Sequence, residues 1–579
     1  MLEPSAELEK RVAELEEQVG ALTQTVNELK SGAATVSSRE PAIKRKTPRK
    51  LTAEGGASEE ILSWVDKSYI LSRVATTSFI VAIAVALRTA SDSGVVDLQI
   101  GSFIGILYAL GLLIYGWFAY RENSIQAPVY TLWGTLIMCS VVVEAHRVFA
   151  TVPTEVAYLA MALTGLVGTM ISRMHHVALP VFVGTLGMSF GSFALDYPSP
   201  VFPYLVIIMG LANIFATYAT HLLRASWLRW LLLILTLFMI QIWDLKLNIY
   251  LSKLAPENLE FSVQGLMPSI GFLGLVFAGI ALLGVLGKVQ DRISKFDVVL
   301  PVINVCWIFL AAKYAINQGL TTATTFGWVA LVAALAHLAV AWWLGHRVAG
   351  GNLGTTSFAL AGGLLLAFSA PMAFGHAVIA SALVALLAIG MAWFSMRTSN
   401  IGLRLSSYLL QFYACSALVY LLWSTDGTRP SVVGALSSGL LASIAFVHYF
   451  WSRRNPPTAG ETLLHKLNKN DRGAGMLLIA ALFGGFFTMR VGLYQTLDFL
   501  HAATRSNFDG AQSVLINVTA IVVLWLSLLR HNRELRNVAV ILIIIGAGKV
   551  FLMDMVSLKG MPLMVSVFTF GLVAAFASF

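Results

Sequence analysis

The chain has 579 residues, of which 57% are hydrophobic and 12% charged, with a formal net charge of +9. Soluble domains carry about 25% charged residues, so this composition excludes an ordinary soluble protein and indicates one housed in a lipid bilayer. The positive balance is not read as nucleic-acid affinity, because the basic residues gather between apolar stretches, where the positive-inside rule places them.

The first residues, MLEPSAELEK, are acidic and polar, without a basic n-region or an apolar h-region. No cleaved signal peptide is expected, and the first spanning helix serves as the insertion signal. Leu8, Val12, Leu15, Val19, Leu22, Val26 and Leu29 then alternate at spacings of four and three. Val at a and Leu at d favour a parallel two-stranded coiled coil, with Arg11 at g facing Glu16 at e of a second chain. The expected partner through residues 8–29 is therefore a second copy or another protein, although Gly20 weakens the seam and a solvated amphipathic helix fits the same pattern. KRKTPRK (Lys44 to Lys50) belongs to a disordered basic linker that can rest on anionic lipid. The division is a cytoplasmic coiled coil at 1–30, a linker at 31–60 and a multi-span transmembrane domain at 61–579.

From Tyr69 onward, apolar stretches near the ~20 residues needed to cross a bilayer follow one another. Eighteen are expected, starting near 69, 98, 128, 153, 177, 201, 228, 267, 297, 325, 355, 375, 401, 430, 473, 509, 537 and 561. The fold class is all-α, a polytopic transmembrane helical bundle of about 18 spans. With the N-terminus inside, eighteen Lys and Arg fall in inner loops, among them Arg229, Arg404 and Arg453, and seven in outer loops. That bias supports the count and a bacterial inner-membrane location with a cytoplasmic N-terminus. Odd-numbered stretches recur with a mean period near 58, and each even-numbered stretch before the last ends on a basic residue (FAYR, MISR, HLLR and onward). The repeating unit reads as an odd–even helical hairpin. The chain ends at Phe579 without a polar tail.

Cys139, Cys306 and Cys415 are far apart in apolar stretches, so neither a disulfide nor a zinc site is expected, and no cofactor is implied. GVLGKV (Gly284 to Val289) lacks the spacing and the Ser/Thr of a phosphate-binding loop, and no H-E-x-x-H or G-x-S-x-G is present. Asp92 and Asp97 only faintly echo the acidic outer loop of a polyprenyl-using transferase. The longest outer loop, Trp243 to Phe261, is short. Transporters often carry interrupted helices; only Pro301 and Pro371 qualify, and both also read as helix-end prolines.

The N-terminal heptads and basic linker lead into ILSWVDKSYILSRVATTSFIVAIAVALRTA and IGSFIGILYALGLLIYGWFAYREN. The chain closes with GAGKVFLMDMVSLKGMPLMVSVFTFGL. Together these resemble the bacterial many-spanning membrane proteins of domain of unknown function 2339, over essentially the whole chain. In that family the final hairpin carries Lys-x-Phe-x-x-Asp, then Gly, Arg and Ser-Phe. Lys549, Phe551, Asp554, Gly560 and Ser566 match, whereas Leu563 stands where an Arg is usual and Val567 where a Phe is usual. The resemblance implies architecture and no established activity.

Ionisable residues at depth carry the remaining signal, because a charge at a helix centre costs ~2.5–3.5 kcal/mol on insertion scales. Glu144, Asp196, Asp244, Lys313, Arg490, Asp498, Lys549 and Asp554 fall mostly on odd-numbered stretches, toward the outer side. End residues such as Asp196, Asp244 and Asp554 fit plain interfacial solvation. Five residues subtend about 140° on an α-helix, so Lys549 and Asp554 are expected to be poorly placed to pair. The expected ligand-binding set is Lys549, Arg490, Lys313, Glu144, Asp498 and Asp554, around an outward-facing polar cavity, with no catalytic and no metal-binding residues. His337 and His448 read as helix–helix hydrogen-bonding groups. The Gly runs ALAGGLLLAF and LFGGFFTM read as points of close helix approach. Two functions are carried: transport or handling of a polar, anionic or lipid-linked envelope component, and a membrane scaffold assembled through the coiled coil. A membrane-embedded transferase is the least supported, so an enzyme is not the favoured reading.

Overall fold

The computed structural model describes residues 70–197, 200–223, 226–251, 265–286, 294–317, 321–347, 353–426, 432–457 and 468–578. The heptads at 8–29, the basic linker and most of the 243–261 loop lie outside the described residues.

The described chain is a succession of long helices: α1 (Ile70–Asp92), α2 (Leu98–Arg121), α3 (Ala127–Arg147), α4 (Thr154–His175), α5 (Leu179–Asp196) and α6 (Phe202–Leu223). They continue as α7 (Ser226–Leu251), α8 (Leu266–Leu286), α9 (Lys295–Asn317), α10 (Ala323–Arg347), α11 (Leu353–Phe374) and α12 (Ala377–Thr398). The last are α13 (Ile401–Asp426), α14 (Val432–Arg454), α15 (Gly475–Phe499), α16 (Arg505–Leu529), α17 (Arg533–Ser557, with a π-turn inside) and α18 (Met561–Ser578). Each expected start coincides with a helix start to within a few residues. Seventeen of these helices are long and apolar enough to cross a membrane, so the protein is a multi-pass membrane protein. The eighteenth, α13, is 26 residues long but carries Arg404, Ser406, Ser407 and Gln411 in its first three turns.

Local chemistry sets several helix ends. Asp97, Thr504 and Asn532 accept backbone N–H groups at the starts of α2, α16 and α17, satisfying donors that an isolated helix leaves open. Pro128 and Pro180 sit in the first turns of α3 and α5, where proline's missing N–H costs nothing. Pro301 and Pro371 lie inside the continuous helices α9 and α11, so neither interrupts a span.

The closest packing joins most even helices to the odd helix that follows: α2 on α3, α4 on α5, α8 on α9, α10 on α11, α12 on α13, α14 on α15 and α16 on α17, whereas α6 packs more closely on α5. The hairpin is therefore offset by one helix from the odd–even unit expected from the sequence. The reason is small residues. A Cβ at Gly168 of α4 would sit 2.5 Å from the Pro180 carbonyl oxygen of α5, and one at Gly327 of α10 only 2.5 Å from the Ala373 nitrogen of α11. Without lipid-excluding force between apolar helices, backbone approach of this kind drives association. Gly362 and Gly484 make similar contacts across α10–α11 and α14–α15, whereas Gly485 faces open space.

A second set of contacts runs along the odd helices, each packing on the next from α1 to α17. Polar ties hold their first turns together. Arg73 of α1 donates to the Ile125 carbonyl ahead of α3, at 3.4 Å. Arg229 of α7 forms an ion pair with Asp297 of α9. Ser357 of α11 donates to the Val298 carbonyl of α9, and Thr356 donates to Asn400, just before α13, at 2.9 Å. Arg404 of α13 meets Asp471, in the 3-10 turn that leads into α15, at 2.9 Å. Arg453, at the end of α14, pairs with Glu534 of α17. Arg229, Asp297, Arg404 and Asp471 are all buried. Arg229 and Arg404 are thus structural cations inside helices and not the solvated loop charges expected from the sequence.

The glycine contacts make a direct prediction. Gly168→Val should lower the unfolding midpoint in detergent by an amount equivalent to about 1–3 kcal/mol, the usual cost of overpacking. Gly271→Val, where nothing lies within 4 Å of an added Cβ, should leave it nearly unchanged.

Candidate functional site

The site is built on α17. Its first part, Arg533–Gly548, is α-helical; residues Lys549–Asp554 then form a π-turn, and Met555–Ser557 closes the span. A π-turn bonds residue i to i+5 and so brings the fifth residue back over the first. That corrects the expectation that Lys549 and Asp554 point apart. The Lys549 Nζ lies 2.9 Å from Asp554 Oδ1.

Neighbouring helices complete the cluster. Lys549 Nζ also donates to the Asp509 carbonyl at 2.9 Å and to Ser513 Oγ at 2.5 Å, both on α16. Asp554 Oδ2 accepts from Ser513 at 2.5 Å and from Ser566 of α18. Asn517, one turn beyond Ser513, donates to Thr569 of α18 at 3.0 Å. Gly546 makes room for Asn517, whose Oδ1 would lie 2.8 Å from an added Cβ. Gly560, at φ +69°, turns the chain from α17 into α18. Asp554 is 1% exposed and Lys549 15%, so the pair is shielded, with Lys549 its less buried member. Each Nζ proton has an oxygen within reach, and the carboxylate has three donors, the condition under which a buried ion pair is tolerated.

Burial alone sets this cluster apart from the surrounding spans. Leu552, Val556 and Phe568 on α17 and α18 are 76%, 81% and 66% exposed, so the polar cluster lies directly behind bilayer-facing apolar side chains. Phe551 packs edge-on against Phe570 of α18, with centroids 5.4 Å apart.

The other expected site residues are distributed differently. Arg490 of α15 is buried, its guanidinium 5.4 Å from the Phe487 ring and 5.2 Å from the Phe508 ring of α16. It therefore touches α16 one residue from the Asp509 carbonyl that holds Lys549. Glu144 lies elsewhere, paired with Arg88 of α1 at 2.7 Å in a small cleft lined also by Ser91, Ser102 and Tyr108. Lys313 and Asp498 are exposed on α9 and α15, so six residues do not converge on one cavity. His337 bonds the Ala333 carbonyl of its own helix at 2.8 Å, and His448 has no hydrogen-bond partner at either ring nitrogen. Neither histidine bridges helices by a hydrogen bond; they pack against the rings of Phe358 and Tyr408 instead. No group of three His, Cys, Asp or Glu close enough to hold a metal ion occurs among the described residues.

Two participants went unread in the sequence. Ser513 and the Asp509 carbonyl lie on α16, where Asp509, Ser513 and Asn517 form a stripe at spacings of four, one polar line on an apolar helix. That period was the available signal.

Residues 431–579, covering α14–α18, match the family model described as predicted membrane protein, domain of unknown function 2339. Over these helices the chain is similar to that family. The resemblance drawn from the whole sequence is thus matched on its last part, the part that holds the cluster. No curated protein matches, and no solved structure matches.

Within these matched helices Lys549, Asp554 and Ser566 share one hydrogen-bonded cluster, and Gly560 forms the turn that lets Ser566 reach it. Removing one charge of such a pair leaves the other buried and unpaired, at a cost of roughly 3–5 kcal/mol. Asp554→Ala should accordingly lower the unfolding midpoint sharply, while Asp498→Ala, at an exposed position, should change stability by no more than about 0.5 kcal/mol. Thermal unfolding followed by size-exclusion fluorescence measures both.

Proposed function

We propose that this protein handles an anionic lipid headgroup or lipid-linked envelope component at the outer end of α16–α18, with Lys549 as the charged contact. The observation that carries this reading is the placement of a Lys–Asp–Ser–Ser cluster behind bilayer-facing helices, about one to two turns below the start of α16. A ligand with an acyl or prenyl tail can approach such a site laterally, through the membrane, without an aqueous vestibule. Its headgroup would compete with Asp554 for the Lys549 ammonium and for the hydroxyls of Ser513 and Ser566. Arg490, packed on the same turn of α16, adds positive potential from the α15 side. Ionisable groups within a membrane span are retained at an energetic cost, and function is the usual reason.

The excess of basic residues on the side where the odd helices begin supports a cytoplasmic N-terminus in a bacterial inner membrane and, with it, an outer-half location for this site.

The test is lipid retention. Protein purified in mild detergent should carry a defined anionic lipid or lipid-linked species, detected by mass spectrometry of the extracted sample. Lys549→Met should lose that species while keeping expression. An unchanged lipid complement in a folded Lys549→Met protein would overturn the reading.

A further inference from the structure

Among the described residues, buried carboxyls are, with one exception, supplied with donors. Asp297 has Arg229, Asp471 has Arg404, Tyr408 and Asn468, and Asp554 has Lys549, Ser513 and Ser566. Asp196, at the end of α5, accepts from the Tyr158 hydroxyl and the Val201 N–H through Oδ1. Asp244 of α7 is 1% exposed, and neither of its oxygens has a hydrogen-bond partner. A bare carboxylate removed from water in this way costs several kcal/mol, and buried polar groups are overwhelmingly satisfied. The sequence expectation of plain interfacial solvation does not hold for it, since water does not reach it.

The neighbourhood is unusual in a second respect. Asp196 leaves its Oδ2 without a partner, and the indole N–H of Trp243, beside Asp244, is buried and likewise without one. These groups lie in one region. Phe193 and Phe202 flank the Trp243 ring, with centroids 6.1 Å and 6.5 Å away. The Lys246 ammonium stands 4.6 Å from the Tyr197 ring and 4.5 Å from the Trp243 ring. The ends of α5 and α7 and the start of α6 thus enclose three carboxyl oxygens and a donor that the protein itself does not satisfy.

We propose that Asp244 is a cation-accepting site within the membrane, whose carboxyl holds a small cation, either a proton or an alkali ion, with Asp196 as its neighbouring acid. Either occupant neutralises the carboxylate and removes the desolvation cost. Helices packed against α7 bring these titratable groups to this level: Asp196 and Tyr197 from α5, Tyr204 from α6 and Lys313 from α9. Lys246 stands on α7 itself. Lys313 is exposed and Lys246 is held over two aromatic rings, and Asp196 is the acid that the end of α5 brings to this region. The site is separate from the Lys549 cluster and does not depend on its ligand.

The test uses the full wild-type chain in lipid nanodiscs and dicyclohexylcarbodiimide, an apolar reagent that attacks protonated carboxyls in membranes. Peptide mass spectrometry should find the adduct on Asp244, and the Asp244→Asn protein should lose it. Asp554 and Asp471, both ion-paired, should stay unmodified. Labelling of Asp244 that rises as the pH is lowered and is indifferent to sodium identifies a proton. Labelling slowed by added sodium at constant pH identifies an alkali ion. No adduct on Asp244 at any pH, with or without sodium, would overturn the proposal, as would labelling that neither variable alters.

Discussion

Inside a hydrocarbon layer no water is available to pair with a charge or a backbone group, so each must be satisfied by the protein itself. The described structure is organised around that constraint. At the ends where the odd helices begin, buried pairs such as Arg229–Asp297 and Arg404–Asp471 bind one helix to the next. At the other end of the bundle, Lys549 and Asp554 find each other within a single helix only because the helix adopts a π-turn between them. The same turn lets α16 and α18 bring three hydroxyl and carbonyl partners to the pair.

Two kinds of contact then divide the labour of assembly. Glycines such as Gly168 and Gly327 let even and odd helices approach backbone to backbone, which provides dispersion contacts but little directional information. The polar ties along the odd helices provide direction, because an ion pair or a Ser–carbonyl bond is met at one register and lost at others. Gly284 shows the two acting together: an added Cβ there would lie 2.2 Å from the Asp297 carboxyl carbon, so a small residue on α8 vacates the space that the α7–α9 pair occupies.

Much of the fold was legible because spanning helices are written in long apolar runs, and hydropathy reads those runs without reference to tertiary structure. The hairpin register was not legible: it depends on which face of each helix carries small residues, and in helices that are apolar all round no hydrophobic face marks it. The ion pairs were hidden by distance, with Arg229 and Asp297 separated by 68 residues and Arg404 and Asp471 by 67. For the candidate site, the residue types at 549 and 554 were visible and their geometry was misjudged, since ideal α-helical angles were applied to a stretch that is not α-helical. Asp244 shows the converse limit: its place near a helix end suggested solvent, and only tertiary packing reveals that it is enclosed.

The claim on which the candidate site rests is that Lys549 and Asp554 act as one unit across the π-turn. A double-mutant cycle tests this most directly, with Lys549→Met, Asp554→Leu and the combined variant measured by equilibrium unfolding in the same detergent. The account predicts a coupling energy between about 1 and 3 kcal/mol, as for groups in one buried network, with the double variant more stable than the sum of the single losses. Additive effects within about 0.5 kcal/mol would show that the two residues do not meet, and would contradict it.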